Sequence, residues 1–389
     1  MIGAYDATYF AEKGATATAR EIAGQGTQWR KITALLERDE AAISQLAGVL
    51  TDANALIGFS GAGTSAYVGD IAAAEVSTFS PAHCHSIAST DLVSRPSACL
   101  PHDAHGLFFA FARSGNSPES LDSIEKIAQI APDMQPVAVT CNPNGKLAKD
   151  TRAYSLLMPP ETHDESFVMT SSFSTMTLYT TQCCRKACGQ PLADIAALAD
   201  VSDAINKTGY DSPAFDALTQ AKRLIFLGSN TLYGAAKESA LKILEMTAGE
   251  IPTMAETSLG VRHGPKSLIN QDTVVTVFAS NDAYTQQFDA DIIHELAEDQ
   301  QAAKVVVIAS EAFFTRYPAL REHPRVAALT HPQAINQAAD DGLAVLGVQY
   351  AQLLGLRRSI ALGISPDNPC PSGQVNRVVQ GVTLYPYHI

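Results

Sequence analysis

Apolar residues in this 389-residue chain fall into two kinds of run. Short unbroken runs, closed by glycine or polar turns, alternate with longer stretches whose apolar positions recur every three or four residues. The first pattern predicts buried strands and the second predicts helices. Residues 16–50 read as helical. Buried strands are predicted at 56–59, 107–111, 136–141 and 154–158, with helices at 117–131 and 167–188. The pattern then restarts. Strands are predicted at 222–228, 273–279, 304–309 and 325–329, with helices at 233–248 and 334–354. Strands alternating with helices at this spacing imply βαβ units and a mostly parallel sheet.

The expected fold is therefore α/β, with two domains that each carry a mostly parallel sheet flanked by helices in three layers. The domains are expected at 51–205 and 206–389, after a helical segment 1–50, with the second running into a C-terminal tail. The boundary falls in ADVSDAINKTGYDSPAF, near 200–215. The length agrees, since domains run to roughly 100–200 residues.

Composition narrows the partners. A net charge of −13 argues against nucleic acid, which needs a basic face. One phosphate monoester is a different matter, because backbone amides at a helix start hold it without net positive charge. No apolar run reaches the roughly 20 residues of a membrane span, and the first residues show no basic segment followed by an apolar one, so a cytoplasmic protein is expected. The seven cysteines are odd in number and irregularly spaced, which suits reduced thiols.

Two polar turns follow predicted strands and open helices: 61–65 (GAGTS) and 113–117 (RSGNS). In open parallel sheets, ligands gather at the carboxyl ends of strands, where such turns lie. Glycine allows close backbone approach, and the hydroxyls of Thr64, Ser65, Ser114 and Ser117 add donors for an anion. Ser117 also suits an N-cap, with Pro118 at the first helical position; capping and phosphate binding are compatible. Arg113 reads equally as a charge-assisted phosphate contact and as a solvated surface arginine.

In the second half, GAAKESALKILEMTAG sets Lys242 and Glu245 three residues apart on one helix face, and His263 follows in RHGPK. A carboxylate and a histidine are the residue types that move protons in aldose–ketose chemistry. Separately, the first pair is more often a surface ion pair and the histidine a turn residue.

Taken together these residues resemble the SIS (sugar isomerase) family, as in the isomerase half of glucosamine-6-phosphate synthase. That family carries a Gly-Thr-Ser turn, a Ser-x-Ser-Gly-x-[ST] turn, Ala-Leu-Lys-x-x-Glu and His-Gly-Pro. The resemblance implies Ser65, Ser114 and Ser117 as phosphate ligands with Thr64 beside them. It further implies Glu245 as the proton-shuttling base, His263 as the ring-opening group and Lys242 at the active-site edge. It places Glu165 and Val168 at the substrate wall, although an acidic residue before a helix is favourable on its own account. In the family the histidine reaches the neighbouring subunit, which implies a homodimer or larger homo-oligomer.

The departures are also informative. Ala112 and Arg113 stand where the synthase has Ser and Gln, and Gln380 stands where it has a substrate-contacting lysine, which weakens a Schiff-base route through the tail. No glutaminase domain precedes the SIS region and position 2 is Ile rather than a cysteine nucleophile, so no glutamine-dependent amidotransferase is expected. The nearest resemblance is to the AgaS group of double-SIS-domain isomerases and deaminases. It rests on Arg20-Glu21-Ile22, on residues 114–120, on LGVRHGPKS at 259–267 and on SPDNPCPSGxVNRVVQGV at 365–382. That group is described both as tagatose-6-phosphate ketose/aldose isomerase and as galactosamine-6-phosphate deaminase/isomerase. The resemblance implies a hexose or amino-hexose 6-phosphate as substrate, with no cofactor and no metal. A sugar-phosphate-binding regulator is the alternative from another class; the presence of both Glu245 and His263 argues against it. His83-Cys84-His85 and Cys183-Cys184-x-x-x-Cys188 lack partner pairs at zinc spacing.

Overall fold

The computed structural model describes residues 2–379 and 381–387. The chain divides into two compact units that interleave in sequence. One unit comprises 28–164, 171–192 and the tail from Ser372 onward; the other comprises the chain up to Thr27, 165–170 and 193–371.

The first unit holds a parallel five-stranded sheet: β1 (Leu56–Gly61), β2 (His83–Ala88), β3 (Gly106–Ala112), β4 (Met134–Thr140) and β5 (Tyr154–Leu157), in the order β2-β1-β3-β4-β5. Every residue of β3 is buried, as expected for a central strand covered on both faces. Phe59 of β1 stacks on Phe109 of β3 at 5.1 Å between centroids on one face. Phe108 faces the opposite way, into a core with Ile124, Ile127 and Ile130 of the helix Pro118–Ile130. The helix Ser171–Ala187 is rich in serine and threonine yet buried. Some of its hydroxyls return bonds to their own helix, as Thr177 Oγ1 does to the Phe173 carbonyl at 2.8 Å, while Ser171 and Ser172 donate to Asp164.

The second unit repeats this arrangement. Its strands are β6 (Arg223–Gly228), β7 (Thr253–Glu256), β8 (Thr273–Phe278), β9 (Lys304–Ser310) and β10 (Val326–His331), in the order β10-β9-β8-β6-β7. Counted within each unit, both orders are 2-1-3-4-5, all parallel. The helices Thr231–Met246 and Asp340–Ala361 pack together in this unit, and Gly355 leaves the space that Met246 fills.

The expected α/β architecture with two parallel sheets is present, and all eight predicted strands occur. Two further strands, β2 and β7, are edge strands whose residues are exposed or half-buried apart from Ile87 of β2. They carry no unbroken apolar run to betray them. The last long helix starts and ends later than expected, at Asp340–Ala361. Residues 16–50 form four short helices, beginning with Thr16–Ala23. Among the described residues no helix is long and apolar enough to cross a membrane.

Candidate active site

In the order 2-1-3-4-5, the chain turns to opposite sides after the first and third strands, and ligands settle in the crevice between their carboxyl ends. In the first unit those ends are the turns after β1 and β3, which carry Thr64, Ser65, Ser114 and Ser117. Gly63 has φ 56° and leads straight into the helix Thr64–Val76. Gly115 has φ 64° in the second turn. A side chain is strained at either angle, which explains glycine at both.

The second turn is buttressed from behind. Asn142 Nδ2 donates to the Ser114 carbonyl at 2.9 Å, the Leu147 amide to the Gly115 carbonyl at 3.0 Å, and the Lys146 amide to Asn116 Oδ1 at 3.1 Å. Ser117 sits at the N-cap of the helix Pro118–Ile130, but its hydroxyl makes no capping bond. It lies 2.7 Å from Ser120 Oγ instead. Ser117 and Pro118 thus take the expected N-cap and first helical positions, but the Ser117 side chain does not bond the helix start. Thr64 and Ser65 are buried and Ser114 is half-buried.

Arg113 is buried and is not a solvated surface group. Its Nη2 donates to the Arg377 carbonyl at 3.0 Å, and Arg377 in turn donates to the Asp164 carbonyl, so the guanidinium holds the tail of its own unit. Gln380 lies outside the described residues.

The second unit carries the acid/base candidates. Lys242 is fully buried on the helix Thr231–Met246, its Nζ 2.5 Å from Glu245 Oε2 and 3.2 Å from Glu238 Oε1. Glu238 is also fully buried, whereas Glu245 is 25% exposed. Burial alone would favour the neutral amine, but the two carboxylates outweigh it and hold the Lys242 pKa above the ordinary lysine value. The Lys242–Glu245 pair is thus no surface ion pair. Glu238 was not singled out from the sequence, although its place one turn before Lys242 on the same helix face could have marked it.

His263 is exposed, between the short turns Gly260–Arg262 and Pro265–Leu268. Ion pairs on both sides hold this loop to the helix Thr285–Glu298. Arg262 lies 2.7 Å from Glu295 Oε2 and 2.8 Å from Asp291 Oδ2, and Lys266 pairs with Glu295 and Asp299. Glu165 is an exposed carboxylate 2.7 Å from Arg20 Nη2, while Val168 is 1% exposed.

The equivalent crevice of the second unit, at the ends of β6 and β8, is filled by the protein itself. Asp289 Oδ1 accepts from Ser229 Oγ at 2.8 Å and Ser258 Oγ at 2.7 Å, and Oδ2 accepts from the Ser280 amide at 3.0 Å. Burial raises the Asp289 pKa against the pull of these bonds. A built-in carboxylate thus takes the donors that an anion would use. Among the described residues no cluster of three His, Cys, Asp or Glu side chains is arranged to hold a metal.

The chain is similar to known proteins in sequence and in fold. The sequence profile of the SIS domain family matches residues 49–183 and 217–315. D-galactosamine-6-phosphate deaminase AgaS of Shewanella sp. ANA-3 is 37% identical, over 96% of this chain and 93% of that protein. The crystal structure of tagatose-6-phosphate ketose/aldose isomerase from Escherichia coli superposes with a TM-score of 0.80 at 34% identity, covering 96% of this chain and 97% of that one. A Clostridium novyi NT protein, provisionally named for the same isomerase activity, superposes with a TM-score of 0.89 at 33% identity, covering 100% and 99%.

Proposed function

The chain belongs to the SIS domain family, and from that premise we propose that it is an enzyme converting galactosamine 6-phosphate and water to tagatose 6-phosphate and ammonia. Thr64, Ser65, Ser114 and Ser117 hold the phosphate. His263 assists ring opening, which exposes an aldehyde at C1 and an amine at C2. Glu245 takes the C2 proton while O1 gains one, giving an enolamine. It returns a proton to C1, leaving an imine at C2. Water adds to that imine, nitrogen leaves as ammonia, and a C2 ketone remains. Glu165 and Val168 belong to the substrate wall. No cofactor enters this scheme. The active form is a cytoplasmic homo-oligomer.

The observation that carries the reading is the fully buried Lys242 cation beside the partly exposed Glu245. Burying a charge is costly unless it is paired, and a lysine buried on a helix to hold a carboxylate at the surface suits a proton carrier better than a stability element. The 37% identity to a named galactosamine-6-phosphate deaminase supports the substrate.

Plain tagatose 6-phosphate isomerisation is the second reading, favoured by the name of the E. coli structure. The same groups would move the same proton with oxygen in place of nitrogen at C2. Purified protein given galactosamine 6-phosphate, with ammonia followed by glutamate dehydrogenase and NADH, separates the two. Steady ammonia release supports deamination. Aldose formed from tagatose 6-phosphate, without ammonia from the amino sugar, supports isomerisation. Turnover of neither compound overturns both.

A further inference from the structure

We propose that Glu21 is a positioning residue: its buried carboxylate fixes segment 165–170, and Arg20 beside it orients the Glu165 side chain. The proposal rests on the reading above that Glu165 stands at the substrate wall. It also gives a purpose to two motifs, Arg20-Glu21-Ile22 and the 365–369 stretch, that the proposed chemistry leaves unused.

Segment 165–170 forms neither helix nor strand, so its first amides have no ladder to join. Glu21, on the helix Thr16–Ala23, supplies their acceptors. Its Oε1 accepts from the Glu165 amide at 2.6 Å and the Ser166 amide at 3.3 Å, and its Oε2 accepts from Ser166 Oγ at 2.5 Å. Glu21 is only 5% exposed. A carboxylate so buried is tolerated because donors converge on it, and the same bonds restrain the main chain that carries them.

Arg20, on the same helix, reaches the Glu165 carboxylate from outside at 2.7 Å. That pair is exposed, and exposed pairs contribute little to stability, so its effect is orientation. The helix is itself fixed. Its N-cap residue, Ala15, offers no side-chain acceptor. Asp367 takes that role from far along the chain, accepting from the Ala17 amide at 3.0 Å, the Thr18 amide at 2.7 Å and Thr18 Oγ1 at 2.7 Å. Asp367 fixes the helix, Glu21 fixes the main chain of 165–166, and Arg20 fixes the side chain of Glu165.

The test compares Glu21→Ala and Glu21→Gln with wild type by amide hydrogen exchange, steady-state kinetics on galactosamine 6-phosphate, and inhibition by inorganic phosphate. Glu21→Ala is expected to speed exchange across 165–170 at least tenfold, with β6 unchanged, and to raise KM about tenfold or more. Inorganic phosphate inhibition stays within twofold, because Ser65, Ser114 and Ser117 are untouched. Glu21→Gln, which keeps one good acceptor, falls between and covers the case in which the alanine variant folds poorly. Wild-type exchange at 165–170 in both variants overturns the proposal. So does faster exchange with unchanged KM, since the segment would then be anchored without serving the substrate. A wild-type protein inert toward galactosamine 6-phosphate would defeat the functional reading instead, and the exchange comparison would still decide whether Glu21 holds the segment.

Discussion

Lys242 Nζ lies 3.2 Å from Glu238 Oε1, and neither side chain has any exposure. One cation thus sits between a fully buried carboxylate and Glu245, which is 25% exposed. The two acids differ in access: Glu238 balances Lys242 inside the unit, while Glu245 keeps an exposed face.

Lys242→Met leaves two carboxylates facing an apolar side chain. Breaking a buried pair by removing one partner costs about 3–5 kcal/mol, and a loss of that size is expected in urea denaturation. Glu245→Gln should cost less than half as much, since Lys242 keeps Glu238. Equal losses for the two variants would contradict the division of roles.

The hydroxyl-lined turns make a separate prediction. A hydrogen bond to a charged group contributes roughly 1.5–3 kcal/mol, or about 10–100-fold in affinity. Ser65→Ala and Ser117→Ala should each raise KM by about that factor, with a smaller change in kcat, and weaken inorganic phosphate inhibition in parallel. Glu245→Gln should leave that inhibition unchanged. Inhibition constants from initial rates check the serine variants, and calorimetric titration with phosphate checks Glu245→Gln.

Asp289 should be needed for folding and not for turnover. Asp289→Ala strips acceptors from Ser229, Ser258 and the Ser280 amide, and a buried unsatisfied donor costs about 1–3 kcal/mol. A loss of about 3 kcal/mol in urea denaturation is expected, with Asp289→Asn milder. A catalytic defect in protein of wild-type stability would contradict this assignment.

His331 gives the protein an acid-sensitive position. Both ring nitrogens are buried without a hydrogen-bond partner among the described residues, and burial lowers the pKa to about 4. The unfolded chain binds this proton near pH 6.5 and the folded one near 4, so the group's contribution to stability is present above 6.5 and lost as pH falls toward 4. Asp340 works in the opposite sense: burial raises its pKa to about 6, so its contribution is present at low pH and lost as pH rises through 6. The two oppose each other over most of this window. The His331 effect therefore shows in the stability difference between wild type and His331→Leu, which should shrink by about 3 kcal/mol from pH 7 to pH 4. A pH-independent difference would contradict it.

The interior of the fold was readable because a central parallel strand is apolar throughout, as in GLFFAFA of β3. Two of the edge strands, β2 and β7, were not, because a strand with one open side needs no such run; β5 and β10 lie at the other edges but keep enough apolar residues to be read. The strand-to-helix turns that carry Ser65, Ser114 and Ser117 were legible from their glycine and polar residues. Glu238 needed only a longer look along its own helix. The contacts of Arg113, Asp289 and Glu21 lay beyond sequence reasoning, because their partners (the Arg377 carbonyl, Ser229 and the Glu165 amide) are set by tertiary structure. The helix Thr285–Glu298, which carries Asp289, was missed because polar residues interrupt its apolar face.

The most direct measurement is the rate of ammonia release from galactosamine 6-phosphate by wild type and by Glu245→Gln, at matched folded fraction. Removing a general base typically costs 10²–10⁴-fold, so the variant should fall roughly that far while tagatose 6-phosphate and ammonia appear one-to-one in the wild type. Ammonia released by Glu245→Gln at the wild-type rate would contradict the account.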